Sequence, residues 1–119
     1  MSRDKGARYE QLALKHLKAS GLNLVEQNFH CRLGEIDLVF RDGNCLVFVE
    51  VRYRSSNRFA SAAQSVDERK QAKIARAAAM FLGRNPAFGH CTVRFDVVAF
   101  DSTDSDQGAL QWIRDAFRV

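Results

Sequence analysis

The chain has 119 residues, 46% hydrophobic and 27% charged, with a formal net charge of +4. That length supports one domain, residues 1–119, with a single core, and the balance of apolar and charged residues argues against disorder. No run approaches the ~18 apolar residues of a membrane span, and "MSRDKGARYE" lacks the apolar stretch of a secretory leader, so the expected location is the cytoplasm, away from membranes.

Residues 5 to 20 read as an amphipathic helix, with Ala13, Leu14 and Leu17 on one face and Gly21 as its stop. "LNLVEQNF" (22–29) reads as an irregular first strand and Gly34 to Phe40 as a second. "RDGN" (41–44) is a hairpin signal, because Asp-Gly suits turns that need positive φ. "CLVFVEVRY" (45–53) is a third strand, apolar enough to be central and covered on both faces. "RSSNRFASAAQ" (54–64) reads as a loop, and "SVDE" (65–68) as a capping box in which Ser65 serves the helix amides and Glu68 reaches back. The helix it opens runs to about Gly83, packing through Ile74, Ala77, Ala78 and Phe81, and Asn85-Pro86 ends it. "CTVRFDVVAF" (91–100) is a further strand, "STDSDQG" (102–108) a loop, and "ALQWIRDAF" (109–117) fits a short strand or a terminal helical turn. The predicted order is α-β-β-β-α-β plus that small final element, in the α/β class.

Three cysteines, Cys31, Cys45 and Cys91, are odd in number and contain no CxxC pair, which argues against a disulfide framework or a zinc site. His90-Cys91 is too small a ligand set for zinc. A pI near 9.3 favours an acidic partner such as nucleic acid.

The acids in the two central strands are the anomaly. Alternation puts Glu35 and Asp37 on one face of the second strand and Glu50 with Arg52 on one face of the third. A turn at Asp42-Gly43 places Glu35 opposite Glu50; a turn at Gly43-Asn44 places Asp37 opposite Glu50 and Glu35 opposite Arg52. Either register gathers three carboxylates around one guanidinium. Glu10 adds a fourth acid on the sheet-packing face of the first helix, which it shares with Gly6, Ala7, Ala13, Leu14 and Leu17. Like charges opposed on a sheet destabilise it, and desolvation raises the cost. The compensators are a proton on one carboxyl or a divalent cation. An all-oxygen set selects Mg²⁺ or Mn²⁺ over zinc, and such ions commonly serve phosphodiester chemistry.

An acid on the first helix, then "GEID" and "EVR" on successive strands, resemble the PD-(D/E)XK nuclease pattern. More closely, Glu10 to Ala13, "GEIDLV", "VFVEVRYR", "SVDERKQAKI" and "RFDVVAF" resemble the YraN family of small bacterial proteins, commonly described as endonucleases. The layout is also similar to Holliday junction resolvases. The resemblance implies a restriction-endonuclease-like fold, a central mixed sheet flanked by helices, with one or two metal ions at the sheet's end. It implies that Asp37 and Glu50 bind metal with the Val51 carbonyl, and that Glu10 matches the first-helix acid of resolvase-like members. Glu35 would support those ligands or serve a second metal.

Arg52 departs from the pattern, which has Lys there. A guanidinium stabilises charge but does not act as a base at neutral pH. Lys70, on the packing face of the second helix near its start, is the candidate substitute. Arg94 and Asp96 share a strand face and are expected to form an internal salt bridge. Arg54, Arg58, Arg69 and Lys73 are candidates for a phosphate-binding surface, while Trp112 and the nine Phe residues read as core. The expected activity is Mg²⁺- or Mn²⁺-dependent DNA cleavage, on branched or recombination DNA, with a homodimer suggested by the resolvase analogy. The alternative is a non-catalytic nucleic-acid-binding module serving a DNA-processing protein partner.

Overall fold

The computed structural model describes residues 2–54, 66–101 and 109–118. Along the chain these form α1 (Ser2–Ala19), β1 (Asn23–Cys31), β2 (Gly34–Asp42), β3 (Cys45–Arg54), α2 (Glu68–Arg84), β4 (Thr92–Asp101) and β5 (Ala109–Phe117). One sheet runs in the order β1-β2-β3-β4-β5, parallel between β3 and β4 and antiparallel elsewhere. A parallel pair needs a crossover, and α2 lies in the one joining β3 to β4. The architecture is therefore the expected α/β class, a mixed sheet flanked by helices. The final segment is a strand, giving the order α-β-β-β-α-β-β.

Alternation along β3 explains why its apolar run is continuous. Leu46 and Phe48 join Val39, Val97 and the α2 residues Ile74, Ala77, Ala78 and Phe81 in one core. Val47 and Val49 join Leu38, Phe40, Val98 and Phe100 beneath Tyr9, Ala13, Leu14 and Leu17 of α1. Each such side chain taken fully from water contributes roughly 1.5–3 kcal/mol. Gly6 and Ala7 do not join this packing; both are exposed.

α2 begins two residues later than its capping box predicts, with Asp67 rather than Ser65 as the cap. Asp67 is the N-cap, its Oδ1 accepting from Lys70 N at 2.9 Å, so a carboxylate meets the positive end of the helix. Ser65, Arg58, the rest of the predicted 54–64 loop beyond Arg54, and the predicted loop 102–108 lie outside the described residues. Arg54 ends β3, and its side chain also lies outside them.

Of the two possible hairpin registers, pairing of Asp42 with Cys45 selects the Gly43-Asn44 turn, with Gly43 at φ 60°. The ladder then runs only as far as Leu38 with Val49. β2 stays on β1 to Gly34, and β3 stays on β4 to Arg54. The sheet therefore forks just past Val49. Ile36 packs in the α2-side core and Leu38 in the α1-side core, although residues two apart in a regular strand share a face. The strand turns over at Asp37.

On the neighbouring strand, paired with Val49, Asp96 is fully buried, and its charge is matched. Arg94 Nε and Nη2 donate to its two oxygens at 2.9 and 3.0 Å, Trp112 Nε1 donates at 2.9 Å, and the backbone N–H of Asp115 donates at 2.9 Å. Asp115 stands at φ 53° where β5 slips its register against β4, so the carboxylate stitches an irregular strand to its neighbour. This is the internal salt bridge expected of Arg94 and Asp96.

Candidate active site

Where β2 leaves β3, the edge of β3 loses its ladder partner. Asp37 supplies the replacement, its Oδ2 accepting from the Val51 N–H at 2.8 Å. The gap between the strands is a cleft of about 210 Å³. Glu10 of α1, Glu35 and Asp37 of β2, Glu50 and Arg52 of β3, and Lys70 of α2 all line it. The backbone at Val51 forms part of its wall. Five elements of sequence logic meet here: a helix acid, two strand acids, a third acid on the central strand, and a helix lysine.

Glu50 is 5% exposed, in a strand otherwise buried from Leu46 to Val49. Lys70 Nζ lies 3.4 Å from its Oε2 and Arg52 Nη1 3.5 Å from the same oxygen. These two cations do not neutralise it. Burial, and then the Asp37 charge, push the Glu50 carboxyl up to about 8 despite Lys70 and Arg52. Asp37 is raised as well, by burial first, against the Val51 N–H and a hydrogen bond from Glu50 that pull it down. With both carboxyls raised, the pair favours keeping a proton between them. Glu10 is raised by burial and by the charges of Asp37 and Glu35, and Asn28 hydrogen-bonds it.

The donors at this cleft are oxygen atoms, with excess negative charge, which fits a hard divalent cation. Each acid rests on a protein donor: Asp37 on Val51, Glu50 on Lys70 and Arg52, Glu10 on Asn28. Among the described residues no three His, Cys, Asp or Glu side chains are gathered closely enough to hold a metal ion as they stand. Glu10, Asp37, Glu50 and the Val51 carbonyl are the groups that would hold Mg²⁺ or Mn²⁺.

Glu35 stands apart from the other acids. It is exposed and pairs with His30, Nδ1 to Oε1 at 2.9 Å. The predicted alternatives, Glu35 opposite Glu50 or Arg52, both fail because the β2–β3 ladder has ended by then. Arg69 and Lys73 are exposed on α2. His90 and Cys91 contact each other at 3.8 Å, and His90 also meets Arg41 at 3.5 Å.

Three residues, two lining the cleft and one bonded to Glu10 behind it, escape a reading based on charge. Asn28 adopts φ 52° in β1, between the paired Gln27–Leu38 and Phe29–Ile36; asparagine tolerates that region better than most residues, which was the available signal. Tyr9 and Tyr53 stack at 4.4 Å with an 18° interplanar angle and line the α1 side of the cleft.

Comparison with known proteins adds the family context. The profile described as "Uncharacterised protein family UPF0102" matches residues 9–100. A UPF0102 protein of Nitrosococcus oceani is 49% identical over 119 residues, covering 98% of this chain and 94% of its own. One from Stutzerimonas stutzeri is 47% identical over 116 residues, covering 98% and 96%. One from Xanthomonas oryzae pv. oryzae is 50% identical over 115 residues, covering 97% and 92%.

Proposed function

The chain belongs to Uncharacterised protein family UPF0102, the YraN family, and from its cleft we propose that it is a divalent-metal-dependent DNA endonuclease. The observation that carries this reading is the convergence of Glu10, Asp37 and Glu50 on one cleft with a carboxyl pushed to about 8. A buried excess of negative charge is costly unless something positive shares it.

When bound, Mg²⁺ or Mn²⁺ would supply Lewis-acid stabilisation of phosphate charge and lower the pKa of a water. The protein's own part is to present the acids and to steady the phosphodiester. Asp37 and Glu50 would lose a proton to solvent and face the cation with Glu10 across the cleft that all three line. Lys70 and Arg52 then exchange Glu50 for the phosphate oxygens, on which negative charge grows as the P–O bond breaks. Lys70 provides the ammonium that the nuclease pattern places at position 52, and Arg52 provides a planar fork of donors. The Tyr9–Tyr53 stack closes the α1 side against water.

The test is cleavage of plasmid and of four-way-junction DNA with Mg²⁺ or Mn²⁺, wild type against Asp37→Ala/Glu50→Ala purified in parallel. Wild-type cleavage lost at least a hundredfold in the variant supports the reading. Equal cleavage, or none by either protein with both metals, refutes it. Salt-dependent DNA affinity without cleavage is the signature of the non-catalytic binding module.

A further inference from the structure

A second concavity, about 440 Å³, adjoins the cleft and shares Glu35 as a common wall. Its other sides come from the β1–β2 turn, including Arg32, and from Lys73 of α2. We propose that this groove carries the phosphate backbone of a nucleic acid on one side of the cleavage position, held by Arg32 and Lys73. The proposal rests on the nuclease reading for the direction of the strand, and on its own geometry for the binding.

Gly34 brings the two walls together. It sits at φ +150°, a conformation L side chains rarely adopt, and a Cβ there would stand 3.4 Å from the Lys73 carbonyl oxygen. The turn is thereby seated against the main chain of α2 beside Lys73, and Arg32 rises from it. Glu35, the acid in this groove, is already engaged by His30 at 2.9 Å. Arg32 and Lys73 outnumber that one carboxylate, so the groove is net positive.

The helix continues the pattern. Arg69, Lys73 and Arg76 are all exposed and recur at helical spacing, so they form a stripe along one face, spanning about 10 Å at 1.5 Å per residue. Lys70, about one turn before Lys73, points instead to Glu50 in the cleft. A backbone leaving the cleft past Lys70 therefore meets cations one after another. Phosphate contacts of this kind set register and affinity without reading sequence.

The experiment measures binding, not cleavage. A fluorescein-labelled linear duplex is titrated in EDTA at several salt concentrations with wild type, Arg32→Ala/Lys73→Ala, and the charge-matched control Lys15→Ala/Lys18→Ala on the exposed face of α1. All three proteins should melt together. The groove variant should reduce the slope of log K against log salt by about 2, the control by close to none. No salt-dependent binding by wild type, an unchanged slope, or equal reductions in both variants would overturn the proposal. Displacement of the duplex by polyglutamate at equal charge would also overturn it, assigning the groove to an acidic protein. Absence of cleavage in the plasmid assay would sink the nuclease reading while leaving this result standing.

Discussion

Replacing Glu50 by Gln should make the metal-free protein more stable at neutral and alkaline pH, although it removes a partner of Lys70 and Arg52. Burial and Asp37 lift the folded carboxyl from an ordinary 4.5 to about 8. Below 4.5 both folded and unfolded chains hold the proton, and Glu50 is neutral in its effect. Between 4.5 and 8 the unfolded chain releases the proton and the folded chain keeps it, so stability falls as pH rises and levels off above 8. At 1.36 kcal/mol per pH unit the whole interval amounts to at most ~5 kcal/mol, and ~3 kcal/mol is already lost at pH 7. Glutamine keeps the shape and does not titrate. In EDTA, thermal melting from pH 5 to 9 should show wild type declining while Glu50→Gln stays nearly level, a gap of roughly 15 °C by pH 8. Mn²⁺ should then raise the wild-type melting temperature at pH 8 and leave the variant unmoved. A variant less stable than wild type at pH 8 would refute the reasoning, because it would mean that Lys70 and Arg52 compensate the charge in full.

Asp96→Ala leaves the Arg94 guanidinium, Trp112 Nε1 and the Asp115 N–H without their acceptor, and should cost about 3–5 kcal/mol in urea unfolding; DNA cleavage below the lowered melting point should stay at wild-type level. Lys70→Met removes a cation that holds the Glu50 carboxyl down, so the pH profile of cleavage should move upward and kcat should fall at least tenfold, with kinetics across pH as the check. Asn28→Gly keeps the φ 52° backbone accessible and deletes the amide that bonds Glu10. Folding stability should change by less than ~1 kcal/mol, while Mn²⁺ affinity, read by titration calorimetry, should weaken.

Much of this was legible in the residues. The two helices follow from apolar spacing, and β3 from a run that alternates between two cores. The internal Arg94–Asp96 bridge follows from two residues on one strand face. That Asp37 and Glu50 lie together was predictable because both hairpin registers compatible with "RDGN" bring them within reach. The position of Glu35 was not, since it depends on the ladder stopping after Leu38 and Val49.

Local sequence thus determined which segments fold as helix or strand, and that Asp37 and Glu50 are placed together, because propensity and alternation are properties of neighbours in the chain. The fork in the sheet was decided only in three dimensions. β2 is drawn toward β1 while β3 is held by β4, and Asp37 takes the Val51 N–H left between them. Likewise Lys70 meets Glu50 only because α2 packs across the sheet, bringing together groups twenty residues apart that no periodicity could connect.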